Sequence, residues 1–250
     1  MPLSNTVVEI LLENLAQNIR SQAVYVGDNW VLSLISAEDG TQYAGTAAAP
    51  RYFSDDSHFP IGHYSLDEDA TKIAESLRSE DASEASVALA TINALLQIEK
   101  IPVTEMDAVD WLKRACTDKK MAIFGRFPFI NDELRPFASQ VWVFELNPHE
   151  DEYSSADIPE IVPEADIVAI TGGTIINHTL DNILAHTRSD STVAILGPST
   201  VLSPALFKHG IDALFGVQVV DIQKAIDSVQ AGAIFRKMQG LRRVSLFKEL

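Results

Sequence analysis

The chain has 250 residues, with 19 Lys and Arg against 35 Asp and Glu, so its formal net charge is −16. Hydrophobic residues make up 46% and charged residues 22%, which excludes a disordered or collagen-like chain. So acidic a chain is a poor ligand for nucleic-acid phosphates or anionic membrane surfaces, and one cysteine, Cys116, excludes an intrachain disulfide framework or a cysteine-rich metal site.

Residues 4–19 place Val8, Leu11, Leu12, Leu15 and Ile19 on one stripe, which predicts a helix. Strand-like runs follow at Ala23–Val26, Trp30–Ser36 and Gln42–Ala47, the last two joined by an Asp39-Gly40 turn. Helices are expected over Asp67–Leu77, Ser83–Ile98 and Ala108–Cys116. Asp81 with Glu84, and Thr104 with Asp107, have the spacing of helix-capping pairs. Residues 1–110 therefore read as an α+β domain.

The pattern then changes. Apolar runs at Met121–Phe124, Val141–Leu146, Ile167–Thr171, Val193–Leu196 and Ala213–Val219 alternate with helical segments. Those segments are Asp132–Ala138, Ile175–His186, Pro204–His209 and Ile222–Gln230, the last capped by Asp221. Arg243–Phe247 reads as a closing strand, and Asn147–Pro163 as an acidic surface loop. Such alternation implies a mostly parallel, doubly wound α/β domain over residues 111–250. No basic leader or transmembrane run is evident, so a cytoplasmic protein is expected.

Ligands of doubly wound sheets bind beyond the carboxyl ends of the strands. The loop Thr171-Gly172-Gly173-Thr174, with Asn177 beyond it, has the chemistry of an anion cradle: glycines admit a ligand to the backbone, and hydroxyls add donors. It is neither GxGxxG nor a P-loop. Gly197-Pro198-Ser199-Thr200 repeats the theme at the next strand tip. The same residues also suit tight turns and caps. Glu145 follows Gly125 by 20 positions, the spacing of a ribose-binding acid, although the glycine pattern is incomplete. His58, His63 and His178 do not form a metal signature, and His149-Glu150-Asp151-Glu152 reads as a solvated acidic run. Acids concentrate in residues 55–84 and 147–166, whereas Arg236, Lys237, Arg242, Arg243 and Lys248 reverse the charge locally, so an anionic ligand stays compatible with the sequence.

Several stretches together resemble a known family, the "putative heavy-metal chelation" proteins. They are ITGGTIINHTLDNIL (170–184), LGPSTVLSPALFKHGID (196–212), FGVQVVD (215–221), ALATINALL (88–96), FGRFPFI (124–130) and VFELNP (143–148). The resemblance implies an enolase N-terminal-like domain followed by a Rossmann-like domain, with an active site between them. It implies a role in assembling or processing a metal-chelating or pterin-like small molecule. Glu145 and Asn177 become the candidate catalytic residues. Thr46, Asn93, Gly125, Thr171, Gly172, Gly173, Thr174, Gly197, Pro198, Ser199 and Thr200 become candidate ligand contacts, with no metal-ligating side chain among them. The ligand would be a divalent metal chelate or a pterin- or nucleotide-like molecule. The alternatives are a non-catalytic binder of a metal chelate and a nucleotide or S-adenosylmethionine module. The expected partner is a small molecule, with a homodimer compatible.

Overall fold

The computed structural model describes residues 6–13, 15–53, 60–97, 99 and 101–249. Thr6 caps α1 (Val7–Leu12) by accepting from the Glu9 N–H. The helix is shorter than the apolar stripe predicts, and residues 4 and 5 lie outside the described part. Asn18 adopts φ 61, a left-handed value that a helix interior cannot hold. Leu15 and Ile19 still reach the core, from irregular chain.

The first sheet has the order β3-β2-β1-β4, all antiparallel: β1 Arg20–Val26, β2 Trp30–Ser36, β3 Gln42–Ala48 and β4 Gly62–Asp69. β4 takes the first three residues of the helix expected over Asp67–Leu77, and the remainder is helical, as α2 (Ala70–Glu75) and a 3-10 turn over Ser76–Arg78. β4 is an edge strand whose residues alternate between half-buried and exposed from Gly62 to Asp67, with Tyr64 and Leu66 packed against the core. Asp69 caps α2, accepting from Thr71 N at 2.9 Å. His63 stacks on Tyr25 across the β1–β4 pair, at 4.6 Å between ring centres; His58 lies outside the described residues. α3 (Ala82–Leu95) begins at Asp81, which accepts from the Ser83 and Glu84 N–H groups. It is apolar nearly all round and packs on one face of the sheet with Val31, Ile35 and Ala47. Ile98, its expected end, lies outside the described residues.

The second sheet has six strands in the order β10-β9-β8-β7-β5-β6. They are β5 Lys120–Phe124, β6 Gln140–Phe144, β7 Ile167–Thr171, β8 Thr192–Leu196, β9 Ala213–Val219 and β10 Leu241–Phe247. β5 to β9 are parallel and β10 closes the edge antiparallel. The chain leaves β5 for β6 on one side, then returns past it to β7 on the other. The order of travel therefore reverses between β5 and β7.

α4 (Ala108–Cys116) covers one face of this sheet with Leu112 and Cys116, against Met121, Ile123, Ile167 and Ala169. Asp107 alone caps it. Thr104, expected to share that task, instead bridges Ser245 of β10, with backbone bonds of 2.8 and 2.7 Å. The other face, including Val168, Ile170, Val193 and Ile195, is continuous with the α3 core. Reciprocally, α7 (Ile222–Gln230) leaves its own sheet and lays Ala225, Ile226 and Val229 against Ala23, Leu32 and Leu34 of the first.

This exchange changes the expected connections. Residues Asp132–Ala138 do not form an α-helix; a single π-type turn spans Ile130–Leu134. The helix expected over Ile175–His186 divides into a 3-10 turn, Gly172–Ile175, and a separate α6, Leu180–His186. Pro204–His209 is 3-10. The expected loop Asn147–Pro163 holds a Ser154–Asp157 capping box and α5, Ile158–Ile161, which buries Ile158. Among the described residues no helix is long and apolar enough to cross a membrane.

Candidate functional site

Two strands end in glycines of matching conformation. Gly125 after β5 has φ 113 and Gly197 after β8 has φ 112, values that L side chains rarely adopt. Each N–H first extends the sheet by one bond, to Phe144 O and Phe215 O at 3.0 Å. The chain then turns away over the sheet's end. β7 turns more tightly: the Thr171 carbonyl accepts from Thr174 Oγ1 at 2.8 Å, and Thr171 Oγ1 accepts from Gly173 N at 3.4 Å. The four-residue 3-10 turn that follows is too short to present the macrodipole that a long helix would supply.

The Gly197–Thr200 loop is fixed by the first sheet. β3 is an edge strand, and its outward groups find partners across the chain. Ala48 N donates to Ser199 Oγ at 2.8 Å, and Thr46 Oγ1 donates to Pro198 O at 3.2 Å. Asn93 Nδ2 donates to Thr46 O at 2.9 Å. Gly45 lets α3 approach, since a Cβ there would lie 2.3 Å from Ala90 O. Gly172 packs directly beneath the second loop, where a Cβ would lie 2.6 Å from Ser199 C and Thr200 N.

Above these tips opens a cavity of about 1230 Å³. It spans the reversal between β5 and β7, the place where open α/β sheets receive ligands. Gly125, Glu145, Thr171, Gly173, Thr174 and Asn177 lie on its wall, as do Gly197, Pro198 and Ser199. The structure therefore brings nine of the sequence-predicted residues to one space. Thr46, Asn93, Gly172 and Thr200 stand behind the wall instead. Thr46 joins the halves through its bond to Pro198 O, Asn93 holds the Thr46 carbonyl within the first half, and Gly172 and Thr200 are packed against each other. Asn177 Oδ1 accepts from Thr179 Oγ1 at 2.7 Å, which orients the amide.

Other residues of the wall gave no local signal. Phe53, from the first half, lies over Gly173, its ring 3.1–3.2 Å from where a Cβ would sit. Tyr52 beside it donates to Asn29 Oδ1 at 2.6 Å. Arg126, immediately after Gly125, grips Glu152 through Nε at 2.7 Å and donates to Asn147 O at 2.7 Å. This clamp holds the loop after β6, and with it Glu145, over the end of β5. The Arg126 guanidinium, helped by the His149 N–H, holds the Glu152 carboxyl down at about 2. Arg236 and Arg243 also line the cavity, Arg243 from β10, at the opposite edge of the sheet from β6.

The residues do not fit a metal bound directly by side chains. Among the described residues no group of three or more His, Cys, Asp or Glu is placed to hold an ion. Glu152 is occupied by Arg126. Cys116 is buried under α4, and burial pushes its thiol pKa up, which disfavours the thiolate that binds metals. His178, at φ 56, meets Ser79 O of the first half at 2.8 Å and is not on the cavity wall.

Known proteins share this architecture. A crystal structure of a protein of unknown function from Desulfitobacterium hafniense aligns over 97% of each chain, with 23% identity and a TM-score of 0.78. One from Pyrococcus horikoshii aligns over 96% of this chain and 98% of its own, with 22% identity and a TM-score of 0.82. An uncharacterized protein of Methanocaldococcus jannaschii is 29% identical over 152 residues, which span 58% of this chain and 59% of that relative. Two family models, both described as "Putative heavy-metal chelation", match residues 8–96 and 107–248. The chain, with its two sheets and the cavity between them, belongs to that family.

Proposed function

We propose that the chain binds a small polar or anionic metabolite in the cavity between its two sheets. The observation that carries this reading is the position of the 1230 Å³ space: it lies at the reversal of strand order and is walled by both halves. Its volume exceeds the range of about 300–1,000 Å³ usual for ligand pockets, which suits an extended ligand or two reactants side by side. Phe53, Phe124, Phe127 and Phe144 offer flat apolar surfaces, and Glu145, Thr174 and Asn177 offer polar contacts. In this reading Glu145 orients the ligand or takes a proton from it. Asn177 fixes a carbonyl or carboxyl group. The metal of the family description enters as part of a chelating ligand, because the side chains do not build an ion site. The enolase N-terminal-like and Rossmann-like assignments, the division near residue 110, a cytoplasmic location and a homodimer belong to the same reading.

The test is a thermal-shift screen of pterins, nucleotides, amino-acid chelators and divalent metals, followed by titration of the ligand that stabilises the protein. A ligand present at 100 times its Kd stabilises by about 2.7 kcal/mol. Glu145→Ala and Asn177→Ala should abolish that shift and leave the ligand-free melting temperature within a few degrees. Unchanged binding in both variants sinks the assignment. Tight stoichiometric uptake of a bare transition metal would favour the alternative of a metal-handling binder.

A further inference from the structure

The chain has ten arginines. Eight of them donate a hydrogen bond to a carboxylate, amide or carbonyl oxygen. Arg236 and Arg243 have no such acceptor and no ion pair among the described residues, and both line the cavity. In a chain of net charge −16, acids to neutralise them are plentiful. Those on the same wall are elsewhere engaged or do not reach them. Asp107 caps α4, and Glu133 pairs with Lys113. Asp110, Asp132 and Glu145 form no ion pair with either guanidinium among the described residues.

Arg243 is also held in place, and the backbone before Arg236 is anchored. The Arg243 guanidinium lies over the Phe235 ring, 5.0 Å from its centre. Phe235 in turn meets Trp30 edge-on at 6.1 Å. Trp30 Nε1 donates to Ala233 O and Asn29 Nδ2 to Gly232 O, each at 2.9 Å. The first sheet thus props the segment that carries Arg236 and presents Phe235. A planar guanidinium stacked on a ring keeps its edge donors free for a partner.

We propose that Arg236 and Arg243 form the anion-recognising end of the cavity, and that the ligand carries an oxyanion group, a phosphate or a carboxylate, at that end. This rests on the reading of the cavity as a ligand site and adds the chemical class of one end of its occupant. Glu145 and Asn177 would face the other end. Guanidinium–oxyanion hydrogen bonds are charge-assisted and suit groups that offer two oxygens at once.

The experiment is calorimetric titration of the full chain with two probes, inorganic pyrophosphate and succinate, in low-salt buffer. The variants are Arg236→Gln, Arg243→Gln and the pair together. The control is Arg242→Gln. It removes the same charge from the next residue of β10, but Arg242 is bonded to Gln218 Oε1 at 2.6 Å and is not on the cavity wall. Saturable binding of one probe by the wild type is expected. Each cavity variant should weaken it about tenfold and the control less than about twofold. All four variants should melt near the wild type, because the exchanged side chains are exposed. Preference for pyrophosphate assigns a phosphate-bearing ligand, and preference for succinate a carboxylate. No saturable binding of either probe, or equal loss in the control, overturns the proposal. Binding that survives the arginine changes but is lost in Glu145→Ala overturns the proposal and leaves the cavity reading standing. The reverse pattern keeps the arginine site and removes Glu145 from the cavity's function.

Discussion

Gly172→Ala would place a methyl carbon 2.6 Å from Ser199 C and from Thr200 N, and 2.8 Å from Ser199 O. Non-bonded carbons rest about 3.5–4.0 Å apart, so the two loops must separate by about 1 Å. Both neighbours are backbone, and neither can swing aside. Ser199 is tied to β3 through Ala48, and the Gly172 turn is closed by Thr171 and Thr174. Overpacking costs about 1–3 kcal/mol, and with no flexible partner the upper end applies. In a chain of this length each kcal/mol moves the melting temperature by about 2–4 °C, so a fall of roughly 6–12 °C is expected. Gly173→Ala is the internal control. Its methyl would crowd the far edge of the Phe53 ring, at 3.1–3.2 Å, and that ring can pivot; Thr171 Oγ1 at 3.7 Å is an ordinary contact. Its stability loss should stay under about 1 kcal/mol, while the narrowed cavity weakens ligand binding. Thermal and urea denaturation of both variants, with titration of any ligand found, reads the difference. Gly172→Ala melting within about 2 °C of the wild type, or Gly173→Ala being the less stable of the two, would refute the contact reasoning.

Asn93→Ala removes the donor to Thr46 O and leaves that buried carbonyl without it, so a loss of about 1–3 kcal/mol in urea denaturation is expected, with ligand affinity unchanged. Weakened ligand binding at full stability would return Asn93 to the ligand contacts. Glu152 is held at about 2 by Arg126, below its ordinary value of 4.5. The stability it adds is complete above pH 4.5 and is lost as the pH falls through about 2. The melting-temperature gap between wild type and Glu152→Gln should therefore be widest near neutral pH and close by pH 2; a gap independent of pH contradicts the pairing.

The cores of the parallel strands were legible because a strand buried on both faces must be apolar along its length, as Ile167–Ile170 and Val193–Leu196 are. The caps Asp81, Asp107 and Asp221 were legible because a carboxylate one residue before a helix accepts its unpaired N–H groups. Loops that end such strands face the ligand side in this class of sheet, so nine of the wall residues were legible in the sequence.

The remainder needed a partner that no local window contains. β4 turns only Tyr64 and Leu66 inward as apolar residues, and its pairing with β1 is what defines it as a strand. Three of the second sheet's connections hold turns where a helix was expected for all or part of the segment. Much of one face is already covered by the core of the first half, and α7 serves the opposite sheet. Thr46 and Asn93 carry donors that suit a ligand as well as they suit a neighbouring backbone; the approach of β3 to the Gly197–Thr200 loop decides for Thr46, and the packing of α3 on β3 decides for Asn93. The same holds for charge. The sequence determined that this protein is acidic, α/β and built around glycine loops at strand tips. Tertiary structure decided which of its few cations are neutralised and which are left open. An ion pair depends on distance through space, and the segment that leads to Arg236 and to the Phe235 ring beneath Arg243 is held by Trp30 and Asn29, some 200 positions earlier.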